Sequence, residues 1–189
     1  HLHLPTILWK FGLNDKVELR VITEFSKTIT NSENIYQLQP ISLGFKTALI
    51  EEKGIIPKIS FIGKAELRKS EILQRKTITP AFRFTFQNNI NDKTSLGYNL
   101  GMFWNENLQE TYLYTFALGK TITPQLNYFV EMYGFISPDL PADHRINGGF
   151  TYLVNNDFMV DTSAGIGLSE KSAKYFISLR ISYRIKLFP

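Results

Sequence analysis

The chain has 189 residues, 21 Lys and Arg against 17 Asp and Glu, a formal net charge of +4 and no cysteine. That composition excludes a disulfide framework and a thiolate metal site. The basic residues are spread along the chain, which gives no footprint for nucleic acid, and no apolar run approaches the roughly 20 residues of a membrane helix.

Fifteen Phe and nine Tyr favour strands, and period-two alternation recurs along nearly the whole chain. We read strands at 4–11, 16–25, 38–49, 55–65, 77–87, 93–104, 111–119, 124–134, 145–154, 158–168 and 175–187. The stretch KVELRVITEF (16–25) sets the pattern: Val17, Leu19, Val21 and Phe25 fall on one face, and Glu18, Arg20 and Glu24 on the other. Further along, Phe45, Phe84, Leu100, Phe116, Val130, Phe150, Ile166, Leu179 and Ile181 continue the apolar face. Lys46, Lys58, Lys64, Glu66, Arg83, Glu131, Asp161, Arg180 and Arg184 share the opposite face with Gly, Ser, Thr and Asn. There is no repeat of solenoid length and no linker, so residues 1–189 read as a single domain.

Connections alternate in length. GLND (12–15), EEKG (51–54), NNIND (88–92), KTIT (120–123) and NND (155–157) are short and turn-like. Between them lie longer polar segments at 26–37, 66–76, 105–110, 135–144 and 169–174. Pro57, Pro80 and Pro124 fall near strand starts. Trp9 and Phe11 fall near a short-turn end, and Trp104, Tyr112 and Tyr175 near long-loop ends, as two interfacial aromatic girdles would place them.

Alternation alone does not say which face meets water. A small soluble barrel cannot hold the large side chains of about eleven strands in its centre. Pointing the apolar face at lipid and the mixed polar face into a lumen satisfies the pattern, and a closed barrel pairs every backbone group within a bilayer. The fold expected is all-β: an antiparallel up-and-down transmembrane β-barrel with a single domain. The eleven strands read here are odd in number, whereas bacterial single-chain barrels have even counts. The expectation is therefore a barrel of about twelve strands with an N-terminal strand preceding His1.

The segments GLNDKVELRV (12–21), SLGFKTAL (42–49), FVEMYGF (129–135), INGGFTYLVNNDFMVDTSAGIGL (146–168) and YFISLRISYRI (175–185) resemble the outer-membrane transporter-like family named for the meta-pathway of phenol degradation. The resemblance covers nearly the whole chain. It implies a barrel of about twelve strands in the outer membrane of a Gram-negative bacterium, in a family whose members often come from environmental bacteria, Bacteroidetes among them, and a porin-like transporter role. The family name does not make phenol the solute. Family members usually end the last strand in Arg-Phe; here Arg184 is followed by Ile185, with Phe188 close behind.

On this reading Glu18, Arg20, Glu24, Lys46, Lys58, Lys64, Glu66, Arg83, Glu131, Asp161, Arg180 and Arg184 line the lumen, and most of them need cross-strand partners. The outer list, from Leu19 and Val21 to Leu179 and Ile181, meets membrane lipid. Two functions follow: a passive or weakly selective channel for small solutes, or a plugged structural or accessory subunit of a larger outer-membrane complex. A soluble lipocalin-like carrier is a third class. No catalytic residues are expected. His144 lies in SPDLPADHR beside Asp143, with no strand serine placed for activation. His1, His3 and His144 offer no convergent metal site, and no cofactor is expected.

Overall fold

A computed structural model describes residues 6–29 and 34–185. His1, His3, the start of the first expected strand and Phe188 lie outside the described residues. Twelve strands follow one another: β1 (Thr6–Gly12), β2 (Val17–Ile29), β3 (Asn34–Leu38), β4 (Ser42–Ile50), β5 (Lys58–Ser70), β6 (Arg75–Asn91), β7 (Thr94–Trp104), β8 (Glu110–Thr121), β9 (Leu126–Ile136), β10 (Asp143–Asn155), β11 (Phe158–Gly167) and β12 (Tyr175–Tyr183). The described residues contain no helix. All pairs are antiparallel neighbours in sequence order, β1-β2-β4-β5 through to β12, with β3 extending the ladder on β2. This is the up-and-down, all-β sheet that alternation implies.

Polar side chains fold the short connections at one end. Asn14 Oδ1 accepts from the N–H groups of Lys16 and Val17, both at 2.9 Å. Asn91 and Asn155 do the same for Lys93 and Asp157, and Thr123 Oγ1 accepts from Leu126 N–H. Asx and hydroxyl turns of this kind need no glycine. Gly54 is the exception, at φ +60.

Three boundaries differ from expectation. The strand expected over 38–49 is broken into β3 and β4 by Gln39, Pro40 and Ile41, since Pro40 has no N–H to give the ladder on β2. The loop expected at 66–76 is mostly strand: β5 and β6 pair out to Ser70↔Arg75, leaving a four-residue turn. Pro80 is therefore inside β6 and not near its start, immediately before the first β6–β7 pair, Ala81↔Phe103.

The sheet is curled. Arg20 of β2 and Phe135 of β9 line one cavity of 520 Å³, and Arg83 of β6 and Arg180 of β12 line another of 530 Å³. In a flat sheet each of those pairs would stand about 29 Å apart, six strand spacings. The curl is open among the described residues. β1 and β12 are its edges, and because eleven antiparallel strands separate direction by parity, the two edges run the same way.

The curled sheet has no apolar core. Leu113 is the one buried hydrophobic among the described residues, whereas Ser42, Ser60, Ser70, Thr77, Thr79, Asn147 and Asp161 are buried. The chain exposes 13778 Å², against about 9,300 Å² for a compact monomer of its mass.

Candidate functional site

The inner, concave face is built row by row from the ladders. One row runs Glu18↔Lys46↔Ile62↔Arg83↔Gly101↔Leu113↔Phe135↔Asp143 across β2 to β10. A neighbouring row carries Lys10↔Arg20↔Gly44↔Lys64. On the far side, Glu131↔Asn147↔Gly165 and Thr151↔Asp161↔Arg180 complete the wall. Glu24, opposite Thr6, and Lys58, opposite Gln87, share this face toward its two ends.

Every residue expected in the lumen lies on this face except Arg184. It follows the last strand, and its guanidinium bonds Asp157 at 2.8 Å in the turn between β10 and β11. The residues expected to face lipid occupy the opposite, convex face. Leu19 opposes Phe45, Phe84 opposes Leu100, and Ile181 opposes Val160. Val21, Phe116, Val130, Phe150, Ile166 and Leu179 share that face by register.

The ion pairs depart from the expected cross-strand pattern. Arg20–Glu18 (2.7 Å), Lys64–Glu66 (3.2 Å), Arg68–Glu66 (2.7 Å) and Arg145–Asp143 (2.5 Å) each join residues two apart on one strand. Such residues point the same way, and a long basic side chain folds back along its own strand more easily than it spans a curled ladder. Asp161–Arg180 is the cross-strand pair within the wall, at 3.2 Å. Asp161 is buried and also accepts from Thr151 Oγ1 at 2.9 Å. Lys58 reaches out of the wall to Glu51 in the adjoining turn, at 2.9 Å.

Lys46 and Arg83 form no ion pair among the described residues. The charges nearest in effect to Arg83 are Glu131, beyond ion-pair distance, and then Arg20. Glu131 in turn accepts from Asn147 Nδ2 at 3.1 Å. Bases outnumber acids on the inner face of β1 to β6: Lys10, Arg20, Lys46, Lys58, Lys64, Arg68, Arg75 and Arg83 stand against Glu18, Glu24 and Glu66. No such excess exists on β7 to β12.

Glycines let neighbouring strands of the wall approach closely. A Cβ at Gly101 would press on the Phe82 carbonyl and come within 3.0 Å of the Arg83 Cα, so glycine here clears the space beside Arg83.

Aromatic rings on the inner face are a feature that charge-based reading passes over. Phe103, Phe135, Tyr133 and Phe176 form an edge-to-face chain with centroids 6.3, 6.0 and 6.4 Å apart. Their parity with Gly101 and Glu131 is visible in the alternation.

His144 takes no part in the inner wall. Its Nδ1 bonds the Tyr114 hydroxyl at 2.8 Å on the convex face. Asp143, one residue earlier, faces inward and accepts from Ser172 Oγ at 2.5 Å. Asp143 and the imidazole thus lie on opposite faces, and Ser172 ties the loop after β11 to the start of β10. No group of three His, Asp or Glu able to hold a metal is present among the described residues.

The sequence profile of the family described as "Putative MetA-pathway of phenol degradation" matches residues 1–185. No curated protein matches. Among solved structures the chain is similar to the outer membrane channel DcaP of Acinetobacter baumannii, with TM-score 0.52 and 12% sequence identity over 95% of this chain and 62% of that one. At that identity the likeness is one of fold, and this chain spans less than two thirds of the channel's length.

Proposed function

The chain belongs to the MetA-pathway of phenol degradation family, and from that premise we propose that it is an outer-membrane barrel of a Gram-negative bacterium through which small solutes pass passively. The observation that carries this reading is the inverted burial. Ser42 is 2% exposed and its neighbour Leu43 is 61% exposed. Water would strip such a molecule of its stability, because burial of apolar surface is the main favourable term in folding. A bilayer removes the difficulty: the convex side chains meet acyl chains, and the concave polar groups keep water. Strands of nine to seventeen residues from β4 to β12 have the length to cross.

An antiparallel closure of the wall needs one more strand between β1 and β12. Two strands of the same direction cannot join an antiparallel ladder directly, but one further strand running the other way pairs with both. A twelve-stranded barrel closed in this way has the even count usual for bacterial barrels.

A second reading, a plugged subunit of a larger outer-membrane assembly, draws on the internally neutralised charges. Arg20–Glu18, Asp161–Arg180 and Arg145–Asp143 fill space without leaving charge to select a solute. Planar-bilayer recording decides between them. Stepwise conductance from the purified full-length protein is expected; a barrel that inserts and never conducts supports the plugged subunit.

A further inference from the structure

We propose that Arg83 and the rings beside it form a binding site for a small organic anion with a flat apolar body, of the aromatic monocarboxylate class. This deepens the channel reading and rests on it for access, though not for binding. The two cavities, of 520 and 530 Å³, have Arg83, Leu113 and Phe135 in common. Those three residues stand where the two cavities adjoin, and they lie in adjoining positions of one row, with Gly101 between Arg83 and Leu113.

Of the inner-face cations that hold no ion pair among the described residues, Lys46 included, Arg83 is the one that lines both cavities. Arg20, Arg145 and Arg180 each hold a carboxylate, and Lys64 and Arg68 share that of Glu66. Arg83 holds none among the described residues. A partly buried charge without a partner is costly, and a planar fork of N–H donors matches a carboxylate in bidentate fashion. The excess of bases on the inner face of β1 to β6 brings an anion toward it and repels a cation.

The body of the solute is set by what surrounds the fork. Leu113 is buried, and Phe103 and Phe135 present edges and faces into the first cavity 6.3 Å apart. A ring joins such a cluster by edge-to-face contact, which a short aliphatic acid cannot make. Arg83 therefore binds the charge, and Phe135 and Phe103 hold the ring.

The test uses the full-length protein, benzoate as probe, and acetate and benzylammonium as controls for the ring and the charge. Binding is measured by equilibrium dialysis in detergent, and block of chloride current in planar bilayers. Benzoate is expected to bind roughly tenfold more tightly than acetate, and benzylammonium weakly. Arg83→Gln should lose roughly tenfold or more of benzoate affinity, with Arg83→Lys intermediate because it keeps charge and loses the fork. Phe135→Ala should weaken benzoate and leave acetate unchanged. Each variant is first checked for the strand signal and detergent-resistant migration of the parent. Equal binding of benzoate and benzylammonium, or unchanged benzoate binding in a folded Arg83→Gln, overturns the site. Binding without any conductance keeps the site and removes the channel reading, whereas conductance without selective binding removes the site alone.

Discussion

Thr77, Ile78 and Thr79 are consecutive on β6 and live in opposite surroundings. The two threonines are 7% and 6% exposed, and the isoleucine between them is 63% exposed. In a soluble sheet the order is reversed. The same strand continues with Ala81, Arg83 and Thr85 on the concave face and Phe82, Phe84 and Phe86 on the convex one. A face hides its hydroxyls only where curvature crowds it, and leaves large apolar groups bare only where the surroundings are as apolar as they are. The contrast therefore speaks about the solvent as much as about the protein.

The largest way to break that contrast is a charge on the convex face. Leu100→Arg should destabilise the folded protein in lipid vesicles by about 2–4 kcal/mol, the cost of Arg or Lys facing the bilayer midplane. Asn99→Arg, one residue away and facing inward, should cost much less. Equal losses in a denaturant titration would count against the assignment of faces.

Next in size is the cross-strand anchor. Asp161→Ala removes the acceptor of Thr151 and Arg180 and should lower stability by about 2 kcal/mol, the scale for hydrogen bonds to a charged group. A change near zero would show that water replaces the carboxylate without loss.

Crowding on the concave face is the third target. A Cβ at Gly149 would strike the Thr162 carbonyl and lie 2.8 Å from the Ser163 Cβ. Gly149→Val should cost about 1–3 kcal/mol through overpacking, read as a shifted vesicle-unfolding midpoint, and a neutral result would mean that the wall is looser than the curl requires.

The smallest effect belongs to the exposed rim. Glu51→Gln breaks the pair with Lys58, whose side chains are 68% and 44% exposed, and should shift stability by about 0.5 kcal/mol or less in the same titration.

Much of the architecture was legible because strand alternation is a strong signal wherever the two faces differ in kind. Leu96 to Trp104 and Tyr175 to Tyr183 show this plainly. Register followed, since a slip of one residue would exchange the faces. The tip of the β5–β6 hairpin was not legible, because Arg68, Lys69, Arg75 and Lys76 read as a polar loop although their backbone pairs. Nor was the break at Pro40, where an unpartnered proline and a run of strand-like residues pull in opposite directions. The charged wall was visible residue by residue, but its pairing was not: whether Arg20 reaches Glu18 along its own strand or Lys46's neighbourhood across the ladder depends on side-chain geometry. The rings at Phe103 and Phe135 carried the right parity, and were hidden because apolar residues were counted on the other face.

With no native cysteine, single cysteines report each face of the protein in lipid vesicles. Leu100→Cys and Leu179→Cys, carrying a fluorophore, should be quenched by brominated acyl chains and, unlabelled, should resist a water-soluble thiosulfonate. Asn99→Cys and Thr115→Cys should react with the thiosulfonate and escape the lipid quencher. Reaction of the leucine positions from water, with quenching of the inward ones by lipid, would contradict the account.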